Sequence, residues 1–229
     1  MEVIILAGGF GTRLQSVVKD IPKPMADING YPFLKYVFDY LSKYNITKVI
    51  LSVGYKQEII KEYFETSYKN INIVYSTENN PLGTGGAIKK ALNYCTNSNT
   101  IVLNGDTFCN IQLDEFVNNS IKDSDMSMVI KKMKKFDRYG SVEIKDNKVI
   151  NFKEKMYYKE AFINAGIYLI KNKIFDSYTL PTNFSFEEFL EKNIRNLNIY
   201  SYKEEDNYFI DIGIPADYEK AKNDFKDIF

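Results

Sequence analysis

Along the first half of the chain, short continuous apolar runs alternate with stretches whose apolar residues recur at helical spacing. Val3 to Leu6 is such a run, closing on Ala7-Gly8-Gly9, and it predicts a buried parallel strand that opens into a glycine-rich loop. Pro32 then starts a segment with Phe33, Leu34, Val37, Phe38 and Leu41 on one face, a helix with proline in its first turn. Lys48 to Val53 reads as a second buried strand, Glu58 to Phe64 as a short amphipathic helix, and Ile71 to Tyr75 as a third strand. A second glycine cluster, Gly83-Thr84-Gly85-Gly86, opens a helix carrying Ala87, Ile88, Ala91 and Leu92, and Ile101 to Leu103 forms a fourth strand ending at Asn104-Gly105-Asp106. This repeating order of strand, loop and helix is that of a doubly wound α/β sheet.

Beyond about residue 120 the pattern changes. Met126 to Met133, Gly140 to Ile144 and Val149 to Phe152 are strand-like runs separated by charged or glycine-containing turns, which predicts antiparallel pairing. Ala165 to Ile170 is a further strand, Phe186 to Ile194 a helix, and Pro215 to Phe225 a terminal helix with Ala216, Ala221 and Phe225 on its inner side. There is no internal repeat, linker or low-complexity stretch, and nothing that resembles hexapeptide β-helix repeats. At 229 residues, residues 1–229 are expected to form one domain.

Composition narrows the chemistry. Thirty basic and 30 acidic side chains leave zero formal net charge, which argues against a nucleic-acid-binding surface, because phosphate backbones are engaged through an excess of Lys and Arg. The chain has no His, and its only cysteines are Cys95 and Cys109, so neither a Ser/His/Asp nor a Cys/His nucleophile pair can be built, nor a zinc site of nitrogen and sulfur ligands. Any metal must sit on oxygen ligands, which points to Mg²⁺ or Mn²⁺ and hence to phosphate chemistry. Two cysteines give no disulfide framework, the start lacks the pattern of a signal peptide, and no apolar stretch approaches the roughly 20 residues of a membrane span, so a cytoplasmic location without a membrane partner is expected.

Gly8-Gly9-Phe10-Gly11-Thr12-Arg13 follows a strand, but it is a poor dinucleotide-binding turn. Leu14 stands where the third glycine belongs, and the second strand does not end in the ribose-binding acid. A Walker loop fails for want of Gly-Lys-Ser/Thr. What remains is a loop whose backbone N–H groups can approach a polyphosphate, with Arg13 at its end and Lys23 between Pro22 and Pro24 a little further on, an arrangement suited to a triphosphate.

LAGGFGTRL with the following PKP resembles the signature of the sugar-1-phosphate nucleotidyltransferases, and the likeness continues through GTGGA, NGD, FKEK, NAGIY and DIGIP over nearly the whole chain. Many relatives carry a proline and a threonine soon after the arginine; the departure at Gln15-Ser16-Val17-Val18, with LSVGYK, FSFEEFLEKN and FIDIGIPADYEKA, favours the subgroup that pairs GTP with a manno-configured heptose 1-phosphate. The resemblance implies a Rossmann-like, mixed, mostly parallel central sheet flanked by helices, with a nucleotide-binding part to about residue 120 and a smaller antiparallel sugar-phosphate-binding part over about 121–229. It implies transfer of a nucleotidyl group from an NTP to a sugar 1-phosphate with release of pyrophosphate. Mannose 1-phosphate with GTP, or a UTP, CTP or dTTP enzyme, stays open within the class, and a catalytically inactive nucleotide-sugar-binding subunit outside it. Self-association as a homo-oligomer is compatible with the sequence.

By the same resemblance Asp106 and Asp211 hold Mg²⁺ between the α-phosphate and the sugar phosphate, Arg13 steadies the β,γ-phosphates and Lys23 neutralises charge near Pα. The nucleotide is expected against Leu6, Ala7, Gly8, Gly9, Gly11, Thr12, Gly83, Thr84 and Gly105. The sugar phosphate is expected against Gly140, Glu154, Lys155, Asn164 and Ala165. Met156 departs from the proline that often follows that lysine. Glu78, just ahead of Pro81-Leu82-Gly83-Thr84, stands where related enzymes read the base edge. An ionised carboxylate offers two acceptors to the adjacent N1–H and exocyclic amine of guanine, whereas a uracil or thymine edge sets an oxygen beside its donor.

Overall fold

The computed structural model describes residues 1–11, 14, 17–120 and 123–229. Strand β1 (Glu2–Ala7) leads through the glycine loop to a short pair, β2 (Asp27–Ile28) and β3 (Tyr31–Pro32), and then to helix α1 (Phe33–Leu41). Next come β4 (Lys48–Val53), α2 (Gln57–Phe64), β5 (Ser67–Tyr68), β6 (Ile71–Thr77), α3 (Gly83–Leu92) and β7 (Asn99–Asn104). The parallel strands lie in the order β6-β4-β1-β7. The chain therefore winds outward from β1 to β6 and crosses back to the other side of β1. That reversal is a topological switch point, and it leaves a crevice beyond the carboxyl ends of β1 and β7.

After β7 the chain forms β8 (Thr107–Cys109), α4 (Leu113–Asn119), β9 (Met126–Phe136), β10 (Ser141–Lys145), β11 (Lys148–Lys153) and β12 (Tyr158–Lys171). Helix α5 (Phe186–Asn193), β13 (Ile199–Glu204), β14 (Phe209–Asp211) and α6 (Pro215–Ile228) complete it. Strand β12 pairs antiparallel with both β7 and β9, so one ten-stranded sheet, β10-β11-β13-β9-β12-β7-β1-β4-β6-β5, runs through both halves of the sequence.

Successive residues of β1 explain the layers. Val3 and Ile5 pack with the buried faces of α1, α2, α4 and α6, while Ile4 points the other way, with Ile50 and Val102, toward Ile88 of α3 and Phe186 and Leu190 of α5. Both faces of the central strands are covered, which is why they read as unbroken apolar runs. None of the described helices is long and apolar enough to cross a membrane.

Three expectations change. The strand predicted from Ala165 begins at Tyr158: its start, YKEAF, sets the exposed Lys159 and Glu160 side by side and so shows no apolar run, and a register shift between Asn164 and Tyr168 interrupts the pairing with β9. The second half is not wholly antiparallel: β13 inserts beside β9 in parallel. In α6 the inner side is Tyr218, Ala221 and Phe225, and Ala216 is exposed, since it lies nearly half a turn around the helix from Tyr218.

Candidate active site

A cavity of about 410 Å³ fills the crevice at the switch point. Leu6 and Ala7 of β1, and Gly8, Gly9, Phe10 and Gly11 after it, form one wall; Asn104 and Asp106 after β7 form another. Lys23, Glu78, Gly83, Thr84 and Gly213 line it as well. Thr12 and Arg13 lie outside the described residues. Gly105 is the turn between Asn104 and Asp106, with its N–H bonded to the Leu6 carbonyl at 2.9 Å, and it does not line the cavity.

Lys23 sits in a single 3-10 turn between Pro22 and Pro24, whose rings fix the backbone, and its side chain is only 9% exposed. Its Nζ lies 2.5 Å from Asp106 Oδ2 and 3.5 Å from Asp211 Oδ1. Two segments remote in sequence meet here because β8 pairs antiparallel with β14, setting Asp211 opposite Thr107, and because the Ile212 N–H donates to the Asp106 carbonyl at 3.0 Å. Asp211 is also held by protein donors. The Gly213 N–H reaches Oδ1 at 2.7 Å; the Tyr139 hydroxyl (3.4 Å) and Arg138 Nη2 (3.7 Å) approach Oδ2, and Arg138 pairs with Asp217 as well. Burial, with the charge of Asp211 beside it, pushes the Tyr139 phenol above its ordinary range and keeps it a donor.

Two carboxylates converging on one cation are a hard-oxygen donor set. No group of three Asp, Glu, His or Cys side chains suited to a metal occurs among the described residues. The two-carboxylate set itself is what fits Mg²⁺, which is usually bound through one or two carboxylates with substrate phosphates and water completing its shell.

At the opposite end of the cavity Glu78 follows β6. Its Oε1 accepts from the Ser52 hydroxyl and its Oε2 from the Leu82 N–H, each at 3.1 Å. Gly83 and Thr84 open α3, but the next two amides, Gly85 and Gly86, donate to the Phe184 carbonyl at 2.9 and 3.3 Å. That end of the helix is therefore packed against the segment before α5. The Thr84 hydroxyl accepts from the Phe186 N–H and donates to Glu187 Oε2, both at 2.8 Å.

Glu187 lines a second cavity, of about 250 Å³, which brings together Gly140, Glu154, Lys155 and Asn164. The Asn164 side chain is engaged at both ends, donating to the Tyr168 hydroxyl at 2.6 Å and accepting from the Gly166 N–H at 2.9 Å. Ala165 is buried in the core and lines neither cavity. Sequence reasoning missed Ser52, Glu187, Glu191 and the Arg138–Tyr139 contacts to Asp211. Ser52 had a signal, a lone hydroxyl inside the apolar run KVILSV; Glu187 and Glu191, four apart on the polar side of α5, had only a weak one.

The sequence profile of the family described as nucleotidyl transferase matches residues 2–228. The chain is 50% identical over 219 residues to a D-glycero-alpha-D-manno-heptose 1-phosphate guanylyltransferase of Campylobacter jejuni, covering 95% of this chain and 97% of that protein. It is 49% identical over 228 residues to the enzyme of the same name from Aneurinibacillus thermoaerophilus, covering 99% of each. Among solved structures, HddC from Yersinia pseudotuberculosis superposes with a TM-score of 0.88 at 41% identity, over 98% of this chain and 99% of that one, and HddC complexed with GMP-PN superposes with 0.86.

Proposed function

The chain belongs to the nucleotidyl transferase family, and on that premise we propose that it transfers GMP from GTP to D-glycero-α-D-manno-heptose 1-phosphate, releasing pyrophosphate. The observation that carries the chemistry is the convergence of Asp106 and Asp211 on Lys23, with Lys23 and Asp106 in the wall of one cavity and Glu154 and Lys155 in that of a second. One hydrogen bond, Thr84 to Glu187, links the linings of the two.

The sugar phosphate is already an anionic nucleophile, so an enzyme without His needs no general base. One of its oxygens attacks Pα in line, the new P–O bond forms, and the bond to pyrophosphate breaks with its electron pair leaving on that group. The protein's task is to align two anions and offset their repulsion. Lys23 places a cation beside Pα, Arg13 another at the β,γ-phosphates, and Lys155 holds the incoming phosphate while Glu154 accepts from sugar hydroxyls. Asp106 and Asp211 are the residues that hold Mg²⁺, or Mn²⁺ in its place. When bound, that ion would supply positive charge that offsets the repulsion of the two phosphates. Glu78 reads the guanine edge with the acceptors left on its two oxygens.

Pyrophosphate release measured across a matrix of nucleoside triphosphates and sugar 1-phosphates tests the assignment. GTP with the heptose 1-phosphate is expected to give the highest kcat/KM. A preference for mannose 1-phosphate or UTP would move the protein to another member of the class, and no turnover with any pair would make it a binding subunit.

A further inference from the structure

Ser52 lies on the central strand β4, wholly buried, in a run of otherwise apolar residues. Its register neighbour on β6, Ser76, is equally buried, and the Ser76 hydroxyl has no partner among the described residues. The Ser52 hydroxyl instead donates to Glu78 Oε1 at 3.1 Å. From the far side the Leu82 N–H donates to Oε2 at 3.1 Å. Gly8 closes a third side, because a Cβ there would stand 2.6 Å from Oε1.

An ionised carboxylate has about four acceptor sites, two on each oxygen. Here one on each oxygen is taken by the protein, and Glu78 lines the nucleotide cavity. One acceptor per oxygen is left, the number that two adjacent donors on one ligand edge require. A free glutamate would lose rotamer freedom each time it met such an edge; a glutamate pinned on two sides has lost it already.

We propose that Ser52 is a positioning residue for base selection: it fixes the Glu78 carboxylate in the orientation that accepts both the N1–H and the exocyclic amine of guanine. This rests on the reading of Glu78 given above and goes one residue beyond it. The buried hydroxyl does not touch the nucleotide; it acts through Glu78, and its loss leaves Oε1 free to turn.

The test compares GTP with ITP, which keeps N1–H and lacks the exocyclic amine, as the ratio of their kcat/KM values. The parent is expected to favour GTP. Ser52→Ala is expected to lower that preference about threefold to tenfold, the range for one hydrogen bond, with the change carried in KM for GTP more than in kcat. Ser52→Cys, which keeps the shape with a weaker donor, is expected to fall between, and it serves alone if the alanine variant does not fold. Glu78→Ala is the control for the underlying reading and should abolish the preference. If Glu78→Ala abolishes it while the Ser52 variants keep the parent's ratio, Ser52 is not a positioning residue. If Glu78→Ala itself keeps the ratio, the reading of Glu78 fails and this proposal with it.

Discussion

Thr107 and Asp211 face each other across a two-stranded antiparallel ladder, and that pairing places Asp211 within reach of the lysine that Asp106 also binds. Asp106 leaves the end of a central parallel strand, while Asp211 arrives from near the other end of the chain. The short β8–β14 pair thus does for the site what the large sheet does for the fold: it fixes, through backbone hydrogen bonds, the spacing of two like charges. Such a pair is costly unless cations offset it, and Lys23 supplies one.

Asp106→Asn and Asp211→Asn are each expected to fold and to lose at least about a hundredfold in turnover, because each conserves shape while removing an anionic oxygen ligand. EDTA should abolish the parent's activity and Mg²⁺ restore it. Circular dichroism with steady-state rates checks this, and a folded variant with a near-normal rate would refute the two-carboxylate site.

The parts of this arrangement legible in the sequence share one property: they are local. Buried parallel strands show as unbroken apolar runs, so β1, β4, β6 and β7 were visible, as were the glycine turns that follow them. Asp106 was placed by its position at a strand end. The pairing that positions Asp211 was not visible, because β8 and β14 are each three residues long and pairing between distant segments leaves no periodic trace. Strand β13, IYSYKE, has mixed polarity and no apolar run, so nothing marked its parallel insertion beside β9. The Thr84–Glu187 bond escaped for the same reason as the β8–β14 pair.

Lys155→Ala and Glu154→Gln should raise KM for the sugar phosphate while leaving KM for the nucleotide within about twofold, since both line the second cavity and neither lines the first. Lys155→Ala should have the larger effect, because it removes a charge facing a dianion. Varying each substrate at saturation of the other measures this; a parallel rise in both KM values would show that the two cavities do not divide the substrates in this way.

Gly85→Ala is expected to destabilise the protein by about 1–3 kcal/mol, the range for overpacking a well-filled interior. Alanine is ordinarily the better helix former by up to about 1 kcal/mol, but a Cβ at this position would penetrate the ring of Phe184. Combining it with Phe184→Ala should recover part of the loss, so that thermal unfolding of the double variant shows less destabilisation than the sum of the singles. Strict additivity would mean that the ring is not what excludes the methyl group.

Glu2 ties the start of β1 to the turn before β7. Burial works against its charge, but Lys48 Nζ at 2.5 Å and three donors from Thr96 and Asn97 at 2.8–2.9 Å prevail, holding its pKa down to about 2 from an ordinary value near 4.5. A carboxyl depressed in the folded state is ionised in both states at neutral pH and then favours the fold in full. Below about 4.5 the unfolded chain takes up the proton first, and the contribution drains away until the folded group protonates near 2. Glu2→Gln keeps the shape and removes the charge, so it should cost about 1.5–3 kcal/mol at pH 7, the range for a hydrogen bond to a charged group. The difference in unfolding free energy between parent and variant should stay constant from pH 7 to about 5 and narrow steadily below that. Urea titrations at a series of pH values measure it, and a gap that persisted unchanged down to about pH 3 would mean that the carboxylate's charge is not what holds these two strands in place.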